Sequence, residues 1–398
     1  VFRVLVVAPT PFFGDRGCHV RIYEEARALA ARGVASEIVT YPTGLNPDGL
    51  SVRRAPRLPG IRVRPVGPGY TRPLVDAALA ATALRAARRF MPDVIHAHLH
   101  EGIAIGAILR RRLGVPLVAD LQGSFVGELV DHGFLTDGSL SAGLVQRLER
   151  WLVHKPDRIL ASSTASLALL ASEGVERSRL VWLPDGVDLE RFRPLPVDPA
   201  LEATFGLSGK RTVAFLGLLT SYQGIEVILD AAPAVVRAVP DAHFLLMGYP
   251  NEARYRALAE AKGLSSAMTF PGRIPYDQAA RYLALGQVAV SPKLSATEAN
   301  GKLLNYMACA LPTVASDTPI NRELLGEAGI YVPVGDAAAL AGALIALLGD
   351  GARRERLGQA LRRRAEREFS WAALADRLIG VYRDLGPTPA SRANAARS

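Results

Sequence analysis

Short, wholly apolar runs alternate with helix-spaced segments along this chain, and that alternation limits the possible folds more than anything else in it. The first run, VLVVA at residues 4–8, has no polar face. A strand of that kind must be covered on both sides, which points to a parallel sheet with helices on each face. Further strands are expected at 37–40, 61–66, 93–98, 116–121, 158–162 and 180–183. Helical spacing falls between them at 19–31, 74–90, 102–113, 140–154 and 166–172.

A turn-rich, proline-rich stretch without periodicity, PDGVD at 184–188 and then 191–199, interrupts the series and reads as a domain boundary. A second series follows, with strands expected at 212–217, 243–248, 268–271, 287–291, 313–316 and 330–334. Helices are expected at 225–239, 251–262, 277–285, 302–310 and 337–348. At 398 residues the chain exceeds one hydrophobic core of ordinary size, so two α/β domains are expected. The facing carboxyl edges of two such sheets would leave a cleft suited to joining two substrates.

Composition narrows the class. Hydrophobic residues make up 49% and charged ones 21%, which is globular. No run of about eighteen apolar residues is present, and a strand begins at once without a signal peptide, so a cytoplasmic protein is expected. Only Cys18 and Cys309 occur, which argues against a disulfide framework or a cysteine metal site. The net charge of +9 gathers in arginines of the first half, at 53, 54, 57, 62 and 64, at 85, 88 and 89, and at 110–112. Such a face suits an anionic membrane surface or a phosphorylated acceptor, with peripheral attachment; it is also what an arginine-preferring composition leaves on any solvated surface. No aromatic-interleaved basic motif accompanies the charge, which argues against nucleic acid.

The segment 291–316, SPKLSATEANGKLLNYMACALPTVAS, sets a polar loop between two strands and opens a helix with it. Loop residues in that order lie at the carboxyl edge of a parallel sheet, where doubly wound folds bind ligands. Glu298, Asn300, Gly301, Lys302 and Asn305 are therefore candidates. A cation in the first turn of a helix is disfavoured by about 0.3–1 kcal/mol unless an anion lies between it and the helix end. Lys302 is either a solvated lysine or part of an anion site, most simply for nucleotide phosphates.

This segment resembles the donor-binding signature of glycosyltransferase family 4, the group 1 enzymes of the GT-B fold. Members usually carry a spaced pair of glutamates followed by a run like MACALPTVAS; here Glu298 matches the first, and Asn305 stands where the second would fall, with one residue fewer between them. PDGVDLERFRP is similar to the family's interdomain linker, and FSWAALADRLIGVYRDL at 369–385 to its last helix, which crosses back to the first domain. The resemblance covers roughly residues 4–385 and implies two Rossmann-like domains. The acceptor-side domain would be 1–187 with the returning helix 371–385, and the donor domain 188–370. The tail 386–398, rich in Ala, Arg, Ser and Pro, is expected to be disordered.

In the first domain PTPFFGDRGCHVR follows a strand and opens a helix. It lacks the full glycine spacing of a dinucleotide fingerprint. Its resemblance to the family's first loop places Gly17 and Arg16 near the donor diphosphate. His96, His98 and His100 alternate in DVIHAHLHEG, with His98 and His100 expected on the exit loop. They could form a metal site or be sheet-end histidines; the resemblance places His98 against the transferred sugar or acceptor and implies no metal. Asp120, Gln122 and Gly123 sit at another strand exit on the acceptor side, and the apolar stretch after Phe125 could be a lid, a lipid groove or a cap.

The second domain departs from the family. Its members usually have an arginine just after the glycine that ends the domain's first strand, and a lysine before the next glycine, holding the donor diphosphate. In LGLLTSYQG the glycine is Gly217, but Leu218 and Gln223 stand at those two positions. Lys302, Lys293, Arg16 and Arg273 could supply the missing charge, Lys302 and Arg16 being favoured. Arg273 and Ile274 follow a strand where the family's backbone meets the nucleotide base. The resemblance thus implies a retaining transfer of a sugar from a UDP-, GDP- or ADP-linked donor to a hydroxyl acceptor. Glu298, His98 and Lys302 would be at the reacting centre, with no cofactor beyond the donor itself. A catalytically weak nucleotide-sugar-binding protein would explain Leu218, Gln223 and Asn305 as decay, and a nucleotide-sugar 2-epimerase shares the fold.

Overall fold

The computed structural model describes residues 2–13, 17–61, 71–121, 139–295 and 300–386. The chain divides into two compact units. One is Val1–Asp185 with Trp371–Ser398, the other Gly186–Ser370.

The first unit holds a sheet of β1 (Arg3–Ala8), β2 (Ala35–Thr40), β3 (Ser51–Arg54), β4 (Val94–His98), β5 (Leu117–Leu121), β6 (Arg158–Ala161) and β7 (Leu180–Trp182). Their order is β3-β2-β1-β4-β5-β6-β7, every pairing parallel. Val4, Leu5 and Val7 are fully buried, as the two-sided apolar run requires. One face is covered by helices Arg72–Phe90 and Leu99–Leu113, the other by Gly17–Ala30 and Trp371–Asp384. Helix Arg72–Phe90 starts with a proline in its first turn and stops at Met91, whose left-handed backbone donates its N–H to Ala87 O. The C-terminal helix is an integral part of this core: Trp371, Leu374, Leu378 and Tyr382 pack with Val4, Val6, Ile22, Leu29 and Val118.

The second unit repeats the plan with β8 (Arg211–Leu216), β9 (Ala242–Met247), β10 (Met268–Gly272), β11 (Val288–Ser291), β12 (Thr313–Ser316) and β13 (Ile330–Val332). The order is β10-β9-β8-β11-β12-β13, again parallel throughout. Strand order reverses between β1 and β4 in one sheet and between β8 and β11 in the other. Those two crevices are the places such sheets offer to ligands. The α/β doubly wound expectation is thus met in both halves.

Two elements go beyond the expected series, and one expected strand lies largely outside the described residues. The strand expected at 61–66 falls, apart from Ile61, outside the described residues, and Ile61 is in no strand. Among the described residues the edge strand is Ser51–Arg54, whose polar, partly exposed SVRR lacks the apolar run that marks a central strand. Helix Gly351–Glu368 was not expected, because only Gly358, Leu361 and Ala365 are buried among its arginines and glutamates; Asp350 caps it by accepting from Arg353 N.

Candidate functional site

At the β8/β11 crevice the second unit brings several of the expected residues together. β8 runs out at Gly217, at φ +157°, and a Cβ there would stand 3.1 Å from both Cε and Nζ of Lys302, so the lysine end lies directly against this backbone. Lys302 is the first residue of helix Lys302–Ala308. Its ammonium lies over the Phe215 ring, 4.4 Å from the centroid, and donates a hydrogen bond to Gln223 Oε1. Gln223 is buried in the short 3-10 turn Ser221–Gln223. The turn is clamped by Gly224 at φ +77°, where an added Cβ would fall 2.0 Å from Pro292 O.

The loop before the helix is anchored from beneath. Asn300 donates to Ser291 Oγ at 3.1 Å and to Asn321 Oδ1 at 2.8 Å, and Asn321 in turn donates to Ser316 O at 2.8 Å. Tyr306, wholly buried, accepts from Leu216 N at 2.8 Å and so ties the helix to the end of β8; burial pushes its hydroxyl up. Asn300 is thus a structural tether of the loop, with Gly301 following it at the helix start. Asn305 stands one turn after Lys302 on the same helix face.

Other candidates fall elsewhere. Arg273 follows β10, two strands from β8, and its guanidinium lies over the Tyr249 ring at 5.3 Å; Ile274 beside it is half-buried. Lys293 is buried at the exit of β11, and Leu218 is 40% exposed. Glu298, Arg16, Gln122, Gly123 and the stretch from Phe125 to Leu135 lie outside the described residues; Gly17 opens helix Gly17–Ala30.

In the first unit the strand ends hold a buried ionic network that the sequence did not announce. Arg21, on helix Gly17–Ala30, is wholly enclosed. Its Nε lies 2.8 Å from Asp120 Oδ2 and 3.2 Å from Glu25 Oε1, one terminal nitrogen lies 2.8 Å from Asp185 Oδ1, and the other donates to Leu183 O. Burial would push the Asp120 carboxyl up, but Arg21 and the adjoining His98 outweigh it and hold the group well below the usual carboxylate range. Glu25 goes the other way: burial raises it well above normal, against Arg21 and with the Asp120 charge adding to the rise. Asp120, expected at an acceptor-side strand exit, pairs with Arg21 through Oδ2.

His98 is the last residue of β4 and 1% exposed, stacked on His96 at 4.4 Å, with Nδ1 3.4 Å from Asp120 and Nε2 3.8 Å from Glu25. His96 Nδ1 is hydrogen bonded to Tyr382 at 2.8 Å, and burial, then His98, push its ring well below its ordinary value. His98 and His100 were expected on an exit loop. Instead helix Leu99–Leu113 begins at once, so His100 turns away to Glu149, 3.2 Å distant. Glu25, His96, His98 and Asp120 lie close enough to share a cation, their candidate atoms within 4.8 Å of one another. The Arg21 guanidinium already answers both of those carboxylates. Arg21 and Glu25, one helical turn apart, could have been paired from spacing; their partners 99 and 164 residues further on could not.

Comparisons agree with this architecture. Residues 16–186 match the glycosyl transferase 4-like domain, and residues 210–350 match glycosyl transferases group 1. The chain is 30% identical to a D-inositol 3-phosphate glycosyltransferase of Rhodococcus erythropolis, over 94% of this chain and 88% of the relative. It is 31% identical to a phosphatidyl-myo-inositol mannosyltransferase of Mycobacterium leprae, over 73% of each. Among solved structures it resembles Anabaena Alr3699/HepE in complex with UDP, with a TM-score of 0.76 at 16% identity, covering 96% of this chain and 99% of that one. The chain is a member of the glycosyl transferases group 1 family, a glycosyltransferase built on the GT-B fold.

Proposed function

We propose that this glycosyltransferase moves a sugar from a nucleoside-diphosphate donor to a hydroxyl of an inositol-phosphate-bearing acceptor, with retention at the anomeric carbon. The observation that carries the donor side is the Lys302 ammonium, seated beside Gly217 at the β8/β11 crevice and held by Gln223. A cation fixed there can meet charge that grows on a departing diphosphate, the largest electrostatic demand of such a transfer. The acceptor class follows from the inositol-phosphate and phosphatidyl-inositol names of the relatives.

In the step itself the acceptor oxygen bonds to the anomeric carbon on the face from which the diphosphate leaves. The carbon–oxygen bond to phosphate breaks, and the hydroxyl proton passes to a phosphate oxygen. Orientation and charge stabilisation then suffice without a protein nucleophile. Glu298 is assigned to the sugar hydroxyls and Asn305 to the ribose, where an amide can both donate and accept. With Lys302 as the leaving-group cation, turnover is expected to survive a chelator.

Thermal-shift titration with UDP, GDP and ADP identifies the base, since a ligand of the folded state raises its melting point by mass action. The matching nucleotide sugar is then offered D-inositol 3-phosphate and phosphatidylinositol, and the anomeric product is read by NMR. A product of inverted configuration, or donor binding with no transfer to either acceptor, would overturn the proposal; the second outcome would favour a binding protein.

A further inference from the structure

The first unit's sheet ends at β3, and a cavity of about 530 Å³ lies on that edge, between β3 and helix Arg72–Phe90. Four arginines line it, Arg53 and Arg54 from the strand and Arg85 and Arg89 one turn apart on the helix, together with Pro56 and, from the helix, Thr82 and Ala86. Small-molecule sites commonly fall at about 300–1,000 Å³. The charge is unbalanced. Among the described residues the carboxylate paired with these four is Glu37, which is buried and accepts from Arg53 Nε and, at 3.1 Å, from Arg89.

The four guanidinium groups have different parts. Arg54 directs its five N–H groups to the carbonyls of Tyr41, Thr43 and Leu45 and to Asn46 Oδ1, so it is a fixed charge and not a donor to a ligand. Burial pushes that group down, as expected where no carboxylate answers it. Glu37 holds Arg53 and Arg89 in place from behind. Among the described residues Arg85 reaches only Thr82 Oγ1, at 3.4 Å, near the limit of a hydrogen bond. Like charges one turn apart repel, and a forked phosphate contact relieves that repulsion.

We propose that this cavity binds the phosphate group of a small phosphate ester, Arg85 and Arg89 supplying donors and Arg53 and Arg54 the surrounding field. None of the residues assigned to the donor lines this cavity. The ester could be a soluble metabolite or the headgroup of a lipid.

The test uses the whole chain with two probes at fixed ionic strength, glycerol 3-phosphate by calorimetry and phosphatidylglycerol vesicles by sedimentation. The Arg85→Gln/Arg89→Gln variant should bind at least tenfold more weakly than the parent. Arg88→Gln/Arg111→Gln, which removes two exposed charges outside the cavity, should bind as the parent does. Loss with glycerol 3-phosphate identifies a soluble ester; binding and loss with vesicles alone identify a lipid headgroup. No binding of either probe by the parent, or equal weakening in the two variants, overturns the proposal whatever the donor proves to be.

Discussion

Lys302 donates a hydrogen bond to Gln223 across 79 residues of sequence, which joins the one position where this chain lacks its family's lysine to a lysine it holds elsewhere. On the donor reading proposed above, the glutamine tethers the cation that takes over the missing charge. Lys302→Ala is expected to remove about 2–4 kcal/mol of transition-state stabilisation with little change in melting temperature. Moving the charge back, in Gln223→Lys/Lys302→Ala, should recover part of the lost kcat/KM. A double variant as inactive as Lys302→Ala would show that the two positions do not serve one phosphate.

Gly224 tests the shape of the same loop. In Gly224→Ala the left-handed backbone costs about 1–2 kcal/mol, and the new methyl must also displace the Pro292 carbonyl 2.0 Å away. Gly209, at φ +73° with nothing within 4 Å, carries the backbone term alone. Thermal melts should therefore place Gly224→Ala well below Gly209→Ala; equal midpoints would mean the loop yields freely.

Arg21→Met should destabilise the first unit by about 3–5 kcal/mol, because the fully buried Asp120 loses its counter-charge. Neutralising that carboxylate as well, in Arg21→Met/Asp120→Asn, should restore part of that loss. Chemical denaturation followed by near-UV circular dichroism measures both, and an Arg21→Met midpoint matching the parent would contradict the network.

His243 predicts an acid limit. Burial, and then Lys210, lower its ring from 6.5 to about 4, while its Nε2 stays 2.9 Å from Thr269 Oγ1. The unfolded chain takes up this proton near its ordinary value and the folded one does so only near the lowered value. The stabilisation is thus complete above about pH 6.5 and fades as pH falls toward 4. At about pH 5 the loss should be about 2 kcal/mol. His96, lowered for similar reasons, acts in the same direction. His243→Gln should flatten the profile over that window; an unchanged slope would assign the acid limit to other groups.

Much of the fold could be read in advance because its central strands are apolar on both faces. Val4–Val7 and Val213–Phe215 could hardly be anything else, and the loop ahead of Lys302 follows from the strands on either side of it. Helix Gly351–Glu368 escaped because its stability comes from a cap and a narrow buried stripe, which charge patterns conceal. The partners of Arg21 and of Lys302 escaped for another reason. Each pairing is made by the order of strands in a sheet, which brings distant loops to one edge, and local periodicity contains no record of it.

Helix Trp371–Asp384 completes a core whose other members lie within the first 183 residues. A ribosome that has delivered β1 to β7 has therefore not yet delivered what covers Val4, Ile22, Leu29 and Val118. That apolar face must wait, exposed, through the synthesis of the entire second unit. The second unit is contiguous in sequence and can fold as it emerges; the first is the last to finish, although it is the first to be made. The late step in this protein's folding should accordingly be the closing of the first unit's core by helix Trp371–Asp384, and a nascent chain released before Trp371 would be the form most exposed to aggregation.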